Sequence, residues 1–118
     1  MNKKEIRQKF RTQVFKRDKY KCVCCCKDGK CRQTGEFIGK DVPRWPLDAH
    51  HITNRNEFKN GGYVKENGIS LCDECHEFAE WALNGDFILG YMPDDLYELI
   101  GSSLEKAQKS DSKSSNLG

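Results

Sequence analysis

Three histidines and seven cysteines are the side chains of this sequence best suited to binding metal ions or transferring protons near neutral pH. The histidines are His50, His51 and His76, and His76 directly follows a Cys-x2-Cys pair. A neutral imidazole can bind a divalent cation or take a proton from water. The sequence therefore offers both metal ligands and acid–base groups within one short chain.

The cysteine spacing predicts a structural metal site. Cys22/Cys25 and Cys72/Cys75 are two Cys-x2-Cys pairs separated by 46 residues. Such a turn presents two sulfurs to one ion, and tetrahedral zinc binds four thiolates. We expect one structural Zn²⁺ on these four cysteines, because 118 residues bury a limited core and metal binding adds folding energy. Alternatively, these cysteines bind no metal and are simply free thiols in the core. The pattern leaves open the roles of three others, Cys24, Cys26 and Cys31.

Apolar periodicity predicts the elements that position these groups. Ile6, Phe10 and Val14 recur every four residues, which predicts a helix over 4–17. Residues 47–53 are typical of a short strand. A second strand is expected over Tyr63-Val64 and Ile69–Leu71, and a helix from Asp73 to Leu83, ending at Asn84-Gly85.

Composition divides the chain into four regions. Residues 1–21 form a basic N-terminal arm, and residues 22–85 form the core, with an irregular insert at 31–46. Residues 86–101 contain a short helix opened by Pro93. Residues 102–118 are rich in Ser and Lys without apolar periodicity, which predicts a disordered tail.

The order of the chemical groups resembles a known family. Leu47-Asp-Ala-His-His-Ile52, then Asn67, then Cys72-Asp-Glu-Cys-His76 is similar to the motif of HNH nucleases. The segment Arg11–Cys22 also looks like the one that precedes this motif in zinc-containing members. The resemblance covers about residues 7–84. It implies an α+β fold with a small ββα-metal (HNH, His-Me finger) core, an N-terminal helix and the four-cysteine zinc site.

The resemblance also implies a function and a role for each motif residue. The function is that of a metal-dependent endonuclease that hydrolyses phosphodiester bonds of DNA. His51 is then the general base, and His50 and His76 bind the catalytic cation. Asn67 hydrogen-bonds across the loop and orients the base, although in some members it touches the metal. An Asn67-Gly68 pair is alternatively a plain turn.

Helical geometry extends the predicted catalytic site by one residue. Cys75 and His76 diverge by about 100° around a helix, so Cys75 can face the zinc while His76 faces a second cation. Glu80 follows His76 by four residues and lies on the same face. It stands where nuclease colicins have a third histidine. A carboxylate favours Mg²⁺ or Mn²⁺ as the catalytic ion, and the alternative is an exposed helix acid.

The charge distribution is typical of a protein that binds nucleic acid. Residues 1–21 carry nine Lys or Arg against two acids, whereas residues 66–98 carry nine acids and no Lys or Arg. A basic arm suits DNA, although it also suits a solvated helix surface. Arg17 has a second interpretation, as an ion pair with Asp18. The candidate DNA contacts are Lys16, Arg17, Arg44, Arg55 and Lys59.

Three rival functions remain open at this stage. The chain could be a non-catalytic zinc-stabilised DNA-binding module, or an interaction protein that uses its acidic stretch. The histidines could alternatively hold a second structural zinc. No apolar run approaches the roughly 20 residues that span a bilayer, and the first residues are charged. We therefore expect no membrane contact and a location in the cytoplasm of a bacterium or phage-infected cell, with phage packaging or recombination proteins as candidate partners.

Overall fold

The structure is a computed structural model and describes residues 2–24 and 47–113. Within these ranges the chain forms four helices and a two-stranded antiparallel sheet. The insert and its neighbours, including Cys25, Cys26, Cys31 and Arg44, lie outside these ranges. No helix in them has the length and apolar content needed to cross a bilayer. The expected α+β class is confirmed. The elements in chain order are α1 (Lys3–Arg17), β1 (Leu47–His51), β2 (Gly68–Cys72), α2 (Asp73–Leu83), α3 (Pro93–Leu99) and α4 (Leu104–Ser112).

The sheet leads directly into α2. β1 pairs with β2 so that Leu47 lies opposite Cys72 and His51 lies opposite Gly68. Every residue of β2 is buried, and Cys72 is both its last residue and the N-cap of α2. The helix bounds match the prediction. The prediction of a strand at Tyr63-Val64 is wrong. Residues 65–67 form a 3-10 turn, and the pairing of β2 with β1 begins only at Gly68.

The helix α1 packs closely on the sheet through a glycine. Its apolar stripe, with Phe10 and Val14, is buried as the periodicity predicted. A Cβ at Gly68 would lie 2.5 Å from Val14 Cγ2 and 2.7 Å from Phe10 Cζ. No real side chain tolerates such separations, so glycine at position 68 is what allows the helix to reach the strand.

The end of α1 is fixed by an internal ion pair. The Arg17 guanidinium donates two hydrogen bonds of 2.8 Å to the Asp18 carboxylate. It also donates to the backbone oxygens of Lys65 and Gly68, at 2.5 and 2.6 Å. Asp18 in turn accepts the Ser70 backbone N–H at 2.8 Å. The alternative interpretation of Arg17, as the ion-pair partner of Asp18, is confirmed, and most of its donors are used within the fold, whereas its contact with DNA stays a prediction.

The C-terminal helix α4 contradicts the prediction of a disordered tail over 102–118 for the residues that the structure describes, 102–113. Ala107 and Asp111 are buried, at 0% and 1% exposure. The Asp111 carboxylate accepts the backbone N–H groups of Asn60 and Gly62 at 2.7 and 2.8 Å. A polar anchor therefore holds this helix, which explains why apolar periodicity did not reveal it. Residues 114–118 lie outside the described ranges.

We expect Asp111→Ala to destabilise the protein by about 3 kcal/mol, because it removes the acceptor of a buried N–H group, that of Gly62, and of a partly buried one, that of Asn60. Urea unfolding followed by circular dichroism measures this loss. Lys113→Ala, an exposed substitution just beyond the same helix, is the matched control and should change little. A loss below about 0.5 kcal/mol for Asp111→Ala would show that α4 is not held by this carboxylate.

Candidate metal and catalytic site

Three buried cysteines form the first candidate metal cluster. The Sγ atoms of Cys22, Cys72 and Cys75 lie within 4.8 Å of one another. Sulfurs around a tetrahedral zinc ion lie about 3.8 Å apart, so small side-chain movements would close the site. The cluster could hold a metal ion and matches three of the four predicted zinc ligands. The fourth, Cys25, lies outside the described residues, and Cys24 is buried in the same core but is not one of the three clustered ligands.

A second cluster lies on the other side of the same helical turn. Ligand atoms of His50, His76 and Glu80 also lie within 4.8 Å of one another. His50 comes from β1, while His76 and Glu80 are one turn apart on α2. Cys75 and its neighbour His76 belong to different clusters, as the helical geometry predicted. The structure thus brings together the three side chains expected to bind a catalytic cation.

The imidazole of His50 is buried without a hydrogen-bond partner. Its exposure is 1%, and neither ring nitrogen makes a hydrogen bond. Burial, aided by nearby His76 and His51, lowers the pKa of His50 to about 3, so the ring is neutral. Its Nδ1 lies 3.3 Å from Glu80 Oε1, which is close but not aligned for hydrogen bonding. A buried polar atom without a partner costs about 1–3 kcal/mol, which a bound cation would offset.

His76 lies between two carboxylates. Its Nδ1 is 3.1 Å from Asp48 Oδ2, and its Nε2 is 3.1 Å from Glu80 Oε1. If Nδ1 donates its proton to Asp48, the lone pair of Nε2 faces the Glu80 carboxylate. Nε2 and the carboxylate oxygen are then both acceptors, so only a proton or a cation can bridge them. Carboxylates commonly orient metal-binding histidines in this way. Asp48 is therefore an orienting residue that sequence reasoning missed.

The imidazole of His51 packs against two aromatic rings. Phe10 of α1 stacks on it at 4.5 Å, with an interplanar angle of 27°. Tyr63 meets it edge-on at 4.8 Å. Burial lowers the pKa of His51 to about 4, and the positive charge of Arg55 contributes, while Glu80 opposes the shift. The ring is therefore neutral near pH 7, in the form that can accept a proton.

The Asn67 side chain closes the loop that follows His51. Its Oδ1 accepts the Thr53 backbone N–H at 3.0 Å and the Tyr97 hydroxyl at 2.8 Å. Its Nδ2 donates to the backbone oxygens of Thr53 and Gly62, both at 3.2 Å. The predicted hydrogen bonds across the loop are present. Because both lone pairs of Oδ1 are used, this amide is not available to a metal ion.

A pocket of about 220 Å³ opens beside the second cluster. His51 and His76 line it, and so do Arg7 and Arg11 of α1. The two arginines are four residues apart on one helix face, a spacing that could have identified them from the sequence. The pocket therefore combines imidazoles, two guanidinium groups and the carboxylate of Asp48.

None of the predicted DNA contacts within the described residues lines this pocket. Arg55 and Lys59 are exposed on the loop after β1, and Lys16 is exposed near the end of α1. Arg44 lies outside the described residues.

Comparison with known proteins finds no match to this chain. This holds for protein-family models, for curated proteins and for solved structures.

We expect the purified, reduced protein to contain one tightly bound metal ion that depends on Cys75. Cys75→Ser should lose this ion and lower the melting temperature, because metal binding contributes to folding. Cys24→Ala, which alters a buried cysteine outside the cluster, is the matched control and should keep the ion. Elemental analysis and thermal unfolding measure both effects. Wild-type protein without bound metal would contradict the cysteine site.

Proposed function

We propose that this protein is a metal-dependent endonuclease of the HNH type, with a ββα-metal core, that hydrolyses phosphodiester bonds of DNA. The observation that carries the proposal is the convergence of His50, His76 and Glu80 beside the ring of His51. Two arginines border the same pocket. The order of β1, β2 and α2 along the chain agrees with the order of elements that the motif resemblance implies.

The donor set of the second cluster fits a catalytic cation. Two imidazoles suit divalent ions of intermediate softness such as Ni²⁺ and Zn²⁺, while the carboxylate also favours harder ions such as Mn²⁺ and Mg²⁺. Three protein ligands leave coordination positions open, which is typical of catalytic rather than structural sites. When bound, the ion would offset charge on the scissile phosphate and on the leaving oxygen.

We assign the general base to His51 at Nδ1. Its Nε2 is buried without a hydrogen-bond partner, so Nδ1 is the nitrogen left to face water in the pocket. The proton of the neutral ring then resides on Nε2, and the Nδ1 lone pair takes the proton of the attacking water. Phe10 and Tyr63 hold the ring in this orientation by contact on its face and edge.

The chain's other groups bind and position the substrate. The guanidinium groups of Arg7 and Arg11 can donate paired hydrogen bonds to phosphate oxygens at the mouth of the pocket. Asn67 fixes the backbone just after His51, so it acts as a positioning residue rather than as a metal ligand.

We assign the first cluster to a structural Zn²⁺, with Cys25 as the fourth ligand. Thiolates favour zinc, and all three described sulfurs are buried, which suits a closed site. The site would join the segment after α1 to the start of α2. It would thereby fix the helical turn that carries His76.

We expect His51→Ala to lower the rate of plasmid cleavage by 10²- to 10⁴-fold, the usual contribution of a general base. Cleavage is measured by gel electrophoresis with Mg²⁺, Mn²⁺ or Ni²⁺. Circular dichroism, metal content and DNA affinity of the variant should match those of the wild type. If clean wild-type protein cuts no DNA with any of these ions, the nuclease proposal fails and the alternative of a non-catalytic DNA-binding module is favoured.

We expect Glu80→Gln to weaken activation by Mn²⁺ about tenfold or more, because it removes an anionic ligand. Glu77→Gln is the matched control, since Glu77 is exposed on the same helix and lies outside the cluster. Glu80→His should shift the preferred ion toward Ni²⁺ or Zn²⁺. The metal-concentration dependence of cleavage measures these effects. Equal behaviour of Glu80→Gln and Glu77→Gln would remove Glu80 from the site.

A further inference from the structure

A second and larger pocket lies between the start of α1 and the loop after β1. Its volume is about 480 Å³, within the range of pockets that hold small organic groups. We call it the basic groove. Its lining combines four cations, Lys3, Arg7, Arg55 and Lys59, with the apolar side chains of Ile6, Phe58 and Tyr63.

The basic groove has a charged rim and an apolar interior. Ile6 and Phe58 are almost fully buried, at 4% and 8% exposure. The four cations are exposed, and within the described residues no carboxylate lies at ion-pair distance from any of them. A rim of unpaired positive charge around a buried aromatic ring suits a ligand with phosphates and a flat ring.

The basic groove borders the candidate catalytic pocket. Arg7 and Tyr63 line both. Tyr63 also contacts the ring of His51. For a strand whose phosphate lies at His51, the groove is thus a neighbouring binding surface.

We propose that the basic groove binds one unpaired nucleotide of the DNA strand next to the scissile phosphate. The base lies against Ile6 and Phe58, and the flanking phosphates contact Arg7 and Arg55. A base inside a duplex cannot reach such an interior without leaving its stack. The occupant is thus a single-stranded or unstacked segment, and the enzyme prefers such DNA to regular duplex. This inference rests on the proposed nuclease function.

Methyl NMR of the full chain tests the base contact directly. Isoleucine methyl groups are labelled with ¹³C, and the probe is a thymidine trinucleotide in buffer without added Mg²⁺ or Mn²⁺, so that the strand is not cut. The control ligand is the same backbone without bases. We expect the thymidine probe to shift the Ile6 methyl signal through its ring current, whereas Ile69, buried in β2, does not move. The base-free probe should bind about tenfold more weakly and leave Ile6 unshifted.

A pair of charge variants tests the rim. Lys3→Glu should weaken trinucleotide binding about threefold more than Lys9→Glu, which makes the same charge change on α1 outside the groove lining. Equal affinity for the thymidine trinucleotide and the base-free backbone would overturn the inference, and so would an Ile6 methyl signal that does not move. If duplex DNA binds more tightly and the Ile6 signal does not move, the rim binds a duplex backbone instead. Plasmid cleavage is scored separately. Cleavage without an Ile6 shift refutes only the groove, whereas an Ile6 shift without cleavage refutes the nuclease proposal.

Discussion

The direct continuation of β2 into α2 at Cys72 is the constraint on which both candidate metal clusters depend. Because no loop separates the strand from the helix, Cys72 and Cys75 are held on one side of the first turn. His76 follows Cys75 and therefore points about 100° away, toward β1. One helical turn thus presents a sulfur to the first cluster and an imidazole to the second. A change in the register of β1 on β2 would separate His50 from His76 and disperse the second cluster.

The aromatic packing on His51 depends on the same sheet. His51 lies opposite Gly68, and the missing side chain at that position lets Phe10 approach the strand. The helix α1 is therefore both a packing element and part of the site, because it supplies the ring that stacks on His51 and the arginines of the pocket. The loop on the other side is held by Asn67 and, from the far end of the chain, by Asp111. Distant segments thus converge to position one imidazole.

Much of this arrangement was predictable from the sequence, and the failures have physical reasons. Long apolar stripes and clear stop signals gave α1 and α2 within one residue, and spacing alone grouped His76 with Glu80. The helix α4 was missed because a buried carboxylate, Asp111, anchors it rather than an apolar stripe. Asp48 and Tyr63 were missed because their roles follow from the pairing of β1 and from the path of the loop. The motif resemblance to HNH nucleases stays a prediction.

We propose two metal sites of different kinds, an exchangeable catalytic cation at the second cluster and a permanent ion at the cysteines. Anomalous diffraction from crystals soaked in Mn²⁺ tests this proposal most directly. The account predicts a manganese peak bounded by His50, His76 and Glu80, and a separate zinc peak among the cysteine sulfurs that persists without added metal. A non-exchanging zinc ion at the histidines, or no manganese there, would contradict the account and favour a structural role for the cluster.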